Sequence, residues 1–357
     1  MEDIRENGRV LSDSIQHVTS DAVKSSGLFP AGSIIVSTTA TIGEHALLIA
    51  DSLANQRFTV FQTVNRWSWL KAKYLLYRFY GLGDWCRKNV NAGGLAAVSI
   101  ADLQKYDIDF PSDEAERENI SNYFENLDDM IAEVEREVSR LEKMKQASLQ
   151  KMFPRPGATT PEIRFAGFSE PWKKFRLSQI GEVRMCKRIL KSQTRNHGDV
   201  PFYKIGTFGK SPDAYISYDL FEEYKRLYSF PHKGDVIISA AGTIGRTVVY
   251  DGQPAYFQDS NLIWIENDNK IVDNTFLAIV IPMINWASSS TTISRIYNET
   301  VRQTYIVVPT SIDEQKSIGE YFRNLDSLLS AKRQKLVKLR NIKQACLDKM
   351  FVNTYEL

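Results

Sequence analysis

A chain of 357 residues, 43% of them hydrophobic, can bury two ordinary cores, and a net charge of only +2 confines any polyanion-binding face to a local patch. Three scattered cysteines (Cys86, Cys186, Cys346) without a CxxC pair argue against a disulfide framework or a zinc ribbon and fit a reducing, cytoplasmic compartment. The opening MEDIRENGRV has no apolar signal core, and the longest apolar run, FLAIVIPMI at 276–284, is short and broken by Pro282, so no membrane span is expected.

In chain order, the first region carries short β-rich runs such as GSIIVS between Gly, Asn and Ser turns, which predicts a mixed α/β globule over 1–112. A helix over 113–153 follows. Its apolar residues Ile120, Phe124, Leu127, Ile131, Val134, Val138 and Leu141 step alternately by four and three, the coiled-coil beat. The Pro- and Gly-rich stretch 154–170 reads as a linker, and GDVIIS and NLIWIE mark a second mixed globule over 171–310. A second helix over 311–357 repeats the apolar beat at Ile318, Phe322, Leu325, Leu329, Leu336 and Leu339, with Lys332 as one polar interruption. Pro111 and Pro309 precede the two helices, where proline is tolerated.

The two halves are copies. At an offset of 198, YFENLDDMIA (123–132) falls on YFRNLDSLLS (321–330), and KQASLQKMF (145–153) on KQACLDKMF (343–351). With a slightly different offset, FPAGSIIVSTTATIG (29–43) matches FPHKGDVIISAAGTIG (230–245). Charges differ instead: residues 114–142 hold ten acids against three bases, residues 332–349 seven bases and only Asp348. Opposite charge favours the two helices as each other's partners, the alternative being two amphipathic helices lying on their own domains. The helix-end residues Met152, Phe153, Met350 and Phe351 could be covered by a second subunit or by the neighbouring globule.

Enzyme chemistry finds little support. Pro212, Asp213, Glu223 and Lys225 spell the degenerate PD…ExK nuclease pattern, but the aligned first copy has Ala22 for Glu223. Lys204 stands where a P-loop ending at GKS would need glycine; there is no HExxH, and His17, His45, His197 and His232 are widely spaced. No metal or cofactor is expected. A repeated module with pseudo-two-fold character suits the local two-fold symmetry of duplex DNA, although a coiled-coil scaffold joining two protein-binding domains would share the layout.

The doubled segment FPAGSIIVSTTATIG and FPHKGDVIISAAGTIG, the P(S/T)...E entry to each helix, YF.NLD and KQ..L.KMF resemble the specificity subunit of type I restriction–modification enzymes. PEIRFAGFSEPWKKFRLSQIGEV (161–183) resembles the opening of a target-recognition domain in that family. The resemblance implies an α+β fold: two mixed α/β target-recognition domains in tandem, each followed by a long helix, the helices pairing as an antiparallel coiled coil. It further implies a subunit without a catalytic site. Its partners would be double-stranded DNA with a bipartite site, two methyltransferase (modification) subunits, and restriction (endonuclease/translocase) subunits. Trp172 lies 62 residues before Gly234, whereas Gly32 has 31 residues ahead of it, so the first recognition domain is expected to be N-terminally short.

Base and phosphate contacts need Arg, Lys, Asn, Gln or hydroxyls on loops. In the second domain MCKRILKSQTRNHGD (185–199) offers Lys187, Arg188, Lys191, Arg195, Asn196 and His197; AGTIGR offers Thr243 and Arg246; STTISRIYNETVRQ (290–303) offers Thr292, Ser294, Arg295 and Arg302. The first domain offers Thr41, then Asn55, Gln56 and Arg57, then Arg87, Lys88, Asn89 and Asn91. For each stretch the alternative is a solvated polar loop. Trp172, Trp264 and Trp286 are read as core.

Overall fold

A computed structural model describes residues 4, 9–19, 23, 28–63, 70–89, 97–286 and 295–351. Two long helices, α4 (Glu114–Lys151) and α9 (Ile312–Met350), are shared between two compact units. One unit comprises Met1–Glu137 and Lys332–Leu357, the other Val138–Ala331. Each unit thus contains one repeat, the first half of the helix that follows it and the last half of the other helix. Both helices start where their sequences direct. Asp113 Oδ1 accepts from the Ala115 N–H at 3.1 Å and Ser311 Oγ from the Glu314 N–H at 3.4 Å, with carboxylates in each first turn favoured by the helix dipole.

In the first unit, β1 (Val10–Leu11), β3 (Ile34–Ser37), β4 (His45–Leu48) and β6 (Phe58–Phe61) form a sheet in the order β1-β4-β3-β6, beside a small pair of β2 (Leu28–Phe29) and β5 (Ser52–Leu53). Strand β3 is central, with Ile34 opposite both Leu47 and Phe61. Because side chains alternate along a strand, Ile34, Val36 and Leu47 join a core with α1 (Ala72–Arg78) and α2 (Leu82–Lys88), while Ile35, Ala46 and Leu48 join another with Leu11. A short α3 (Ile100–Leu103), capped by Ser99, leads towards α4.

The second unit repeats this plan with additions. Strand β7 (Lys173–Arg176), α5 (Leu177–Ile180), β8 (Gly181–Arg184), β9 (Val200–Tyr203), β10 (Tyr215–Ile216), α6 (Tyr218–Leu227), β11 (Val236–Ser239), β12 (Thr247–Val249), β13 (Tyr256–Phe257), β14 (Leu262–Asn267), α7 (Asn274–Val280), α8 (Asn298–Gln303) and β15 (Tyr305–Val308) precede α9. The main sheet runs β12-β11-β14-β8, and again its central strands lie between two cores. Val236, Ile238, Ile263 and Ile265 face one; Ile237, Leu262 and Trp264 face the other. Trp172 and Trp264 are buried as expected; Trp286 is half-buried and packs against Gly245.

Within each unit the helix halves run antiparallel. In the first, Lys332 Nζ donates to Glu137 Oε2 at 2.6 Å, Arg340 Nη2 to Glu135 Oε1 at 2.6 Å, and Lys343 pairs with Asp128. The polar interruption at Lys332 therefore has an acid to meet, and its hydrogen bond holds the Glu137 carboxyl below the usual range. Such pairs, half-buried at Lys332–Glu137 and Lys343–Asp128 and exposed at Arg340–Glu135, help select partner and register. In the second unit Lys145 pairs with Asp326. A matched contact occurs in both: Tyr123 Oη lies 3.3 Å from Cys346 Sγ, and Tyr321 Oη 2.9 Å from Ser148 Oγ.

The repeated KQ..L.KMF phrase ends inside a core. Phe153 stacks on Phe276 and touches Phe322 at 6.0 Å in the second unit, with Met152 buried beside it. Phe351 stacks on Phe124 at 5.7 Å in the first unit, with Leu347 buried. Each phrase therefore packs on the YF pair of the other copy. Of the four helix-end residues only Met350 is left exposed. The stretch 154–170 is held to the second unit: the Ile163 N–H donates to Lys151 O at 2.9 Å and the Trp172 N–H to Thr159 O at 2.8 Å. Arg164 grips the wholly buried Glu314 carboxylate through Nε (2.6 Å) and Nη2 (2.8 Å). Two charge-assisted bonds, with Trp172 Nε1 at 3.4 Å, make that buried charge tolerable.

Candidate nucleic-acid interface

The two TIG segments form one and the same hairpin loop, between β3 and β4 in one unit and between β11 and β12 in the other. The Ser37 N–H donates to Glu44 O (2.7 Å) as Ser239 does to Arg246 O (2.9 Å), and the Gly43 N–H donates to Ser37 O as Gly245 does to Ser239 O, both at 2.9 Å. Thr39 bridges Ala97 as Ala241 bridges Arg295. Even the left-handed turn residue recurs, as Ala40 (φ 59°) and Gly242 (φ 65°). A glycine is obligatory at the TIG end: a Cβ on Gly43 would sit 2.3 Å from Gly83 Cα, and one on Gly245 2.5 Å from the Trp286 Nε1.

In the second unit, candidates far apart in sequence meet around this loop. Arg188 Nε donates to Asp259 Oδ2 (3.1 Å), Arg295 Nη2 to Ser260 O (3.0 Å), and Arg246 Nη2 to Ile205 O (3.4 Å). Gln258 Oε1 accepts from the Ile205 N–H at 2.9 Å, which ties the 204–208 and 258–261 turns together. Thr243 is exposed at the loop tip, its carbonyl accepting from Ser239 Oγ. Arg246 lies over the Phe208 ring, 5.4 Å from its centroid.

The 185–199 stretch divides. Only Arg188 reaches the cluster through a hydrogen bond. Lys187 lies over Tyr228, Lys191 opens an exposed turn, and Arg195 pairs through its backbone with Tyr215, with Asn196 and His197 exposed beyond it. Arg302 is exposed on α8, and among the described residues no hydrogen bond or ion pair joins it to the cluster. Thr292 and Ser294 lie outside the described residues, as does Asn91.

In the first unit, Thr41 is half-buried in the loop. Arg57 O accepts from both the Thr38 N–H and Oγ at 3.0 Å, which brings the exposed Asn55, Gln56 and Arg57 turn to the loop's base. The contact of Gly43 with Gly83 brings α2, where Arg87 pairs with Asp84; Lys88 and Asn89 are exposed at its end. Gln258, Asp259, Ser260 and Phe208 are neighbours that the sequence reading missed. Glu44, which occupies the place of Arg246, was visible in the repeat alignment at an offset of 202.

Asp213 of the nuclease-like pattern is bound to Lys204 at 2.9 Å, and Lys225 lies over Phe221. Among the described residues no hydrogen bond or ion pair joins Asp213 to Glu223. Among the described residues there is also no group of three or more His, Cys, Asp or Glu that could hold a metal ion, and no helix long and apolar enough to cross a membrane.

A family model described as the type I restriction modification DNA specificity domain matches residues 9–143 and 169–341. A type I restriction enzyme specificity subunit of Haemophilus influenzae is 50% identical over 160 residues, 44% of this chain and 41% of that protein. The EcoprrI specificity subunit of Escherichia coli is 46% identical over 112 residues, 31% of this chain and 28% of the relative. These alignments thus span less than half the length of either relative. A crystal structure of a type I restriction–modification S subunit from M. genitalium shares the fold at 14% identity, with a TM-score of 0.64 over 97% of this chain and 89% of that one. With both of its repeats matched by the family model, this chain belongs to the type I restriction–modification DNA specificity domain family.

Proposed function

We propose that the chain is the DNA-reading specificity subunit of a type I restriction–modification complex. Each unit reads one half of a split duplex site, and the chain itself performs no catalysis. The observation that carries this reading is the hairpin loop, built twice with the same hydrogen bonds and each time beside exposed Arg, Asn or Gln side chains. Arg and Lys there supply phosphate and base contacts, while loop glycines allow close approach of the backbone. The work is done where cellular DNA is, in the cytoplasm.

Methyltransferase subunits dock on the helices, and restriction subunits join through the assembled complex. Exposed apolar residues support two like docking patches. Met130 (45% exposed) and Ile342 (37%) lie on the two helix halves of the first unit, and Met144 (41%) and Leu328 (44%) on those of the second. At the 198 offset Met130 corresponds to Leu328 and Met144 to Ile342. All four directly precede a position of the heptad beat, Ile131, Lys145, Leu329 and Lys343, so within each unit the two side chains flank the same side of an antiparallel seam. Co-expression with a methyltransferase subunit, followed by genome-wide mapping of methylated adenine, tests the reading. An asymmetric split motif modified on both strands is expected. Absence of both a complex and DNA binding at low salt would sink the reading and favour a protein-binding scaffold.

A further inference from the structure

We infer that the residue closing the hairpin loop, Glu44 in the first unit and Arg246 in the second, is a base-reading position at which the units select opposite hydrogen-bonding partners: a guanine for Arg246, an exocyclic amino group, as on cytosine, for Glu44. The inference rests on the DNA-reading function proposed above and names the specificity of that same site. The chain carries its own comparison. The carbonyls of both residues accept the same bond from the equivalent serine, and the preceding glycines have like φ values of 84° and 79°. Both side chains therefore leave the same backbone in chemically opposite form. Thr41 and Thr243, and the two glycines, are common to both loops and cannot tell one half-site from the other.

The state of Arg246 fits a donor awaiting an acceptor. Its guanidinium lies against Phe208, its Nη2 makes one long bond of 3.4 Å, and no hydrogen bond engages its Nη1 among the described residues. A structural arginine in the same unit looks different: Arg164 places Nε and Nη2 on Glu314 at 2.6 and 2.8 Å, and Nη2 also on Glu170 O at 2.7 Å. The contact with the Phe208 ring holds a planar fork whose donors match guanine O6 and N7. Glu44 is exposed, and no hydrogen bond or ion pair engages its carboxylate among the described residues. A carboxylate only accepts, so beside a polyanion it is favoured where a base presents an amino donor.

The test compares wild type, R246A, R246K, E44A and E44Q in the co-expressed methyltransferase complex. Methylated motifs are mapped, and duplexes changed at single base pairs compete for binding. R246A should relax one guanine position of one half-site, lowering discrimination there by about 5- to 150-fold, with the other half-site and the spacing unchanged. R246K keeps the charge and a stem over Phe208 but loses the fork, so it too should relax that position; it decides the matter if R246A does not assemble. E44A and E44Q should alter one position of the other half-site. If wild type gives a split motif and every assembled variant keeps it, the inference is overturned while DNA reading stands. Uniform weakening on all sequences, with an unchanged motif and a flatter salt dependence, would make the position a phosphate contact and also overturn it. No split motif from wild type would remove the function proposed above, and this inference with it.

Discussion

At the scale of single residues, two glycines with similar backbone angles separate strain from crowding. Gly32 (φ 89°) has open space where a Cβ would go, whereas at Gly43 (φ 84°) the new atom meets the backbone of Gly83. Gly32→Ala should cost about 1–2 kcal/mol for the left-handed conformation, and Gly43→Ala about twice that or more, because α2 must move. Urea unfolding of both variants checks this, and equal losses would contradict it. His45 gives a pH signature. Burial, aided by the charge of Arg9, lowers its pKa from 6.5 to about 4, against the carbonyls of Gly43 (3.1 Å) and Leu76 (2.8 Å). The unfolded chain therefore takes up the proton first as pH falls. Stability is lost from pH 6.5 down to about 4, amounting to about 2 kcal/mol between pH 7 and 5. A His45→Gln variant should lack this slope when unfolding is followed across that range; an unchanged slope would show that other groups carry it. Little of this was legible beforehand. Sequence placed His45 only among four scattered histidines, because its burial depends on β4 meeting α1 far along the chain.

Elements were more readable, since a heptad beat and a charge bias are local patterns that survive folding. Opposite charges on α4 and α9 anticipated the Glu137–Lys332 and Glu135–Arg340 pairs. What the pattern left open was the destination of the helix ends, which antiparallel pairing decides: Phe153 closes the core over Phe322, and Phe351 the core over Phe124. The basic stretch 185–199 likewise read as one candidate because composition has no direction, while the fold sends only Arg188 to the loop cluster. A consequence follows for mutants. Phe153→Ala and Phe351→Ala should each cost about 3–5 kcal/mol, but in different places. Phe153, although it ends the first repeat, should lower amide-exchange protection in β11 and β14; Phe351 should lower it in β3 and α1. The opposite assignment, or equal loss in both units, would contradict the crossed packing.

For the whole molecule, on the function proposed above, duplication bears on stoichiometry more than on affinity. A net charge of +2 gives little long-range pull on DNA, so in that proposed function binding would depend on local loops, and the partner count on how many like patches the repeat supplies. Each unit carries a repeat-related pair of exposed apolar residues beside its helix seam, and on the same proposal burying such a pair with neighbouring surface would be a reason for one partner to bind per unit. Met130→Asp with Ile342→Asp places carboxylates on the first patch without touching the heptad core, and Met144→Asp with Leu328→Asp does so on the second. Native mass spectrometry of the co-expressed complex should give two methyltransferase subunits per wild-type chain, one for either double variant and none for the quadruple variant. Helix content by circular dichroism should hold throughout, because these positions are solvent-facing. If either double variant still recruits two partners, the apolar pairs are not the docking surface; if one double variant removes both, the two sites are coupled rather than independent copies.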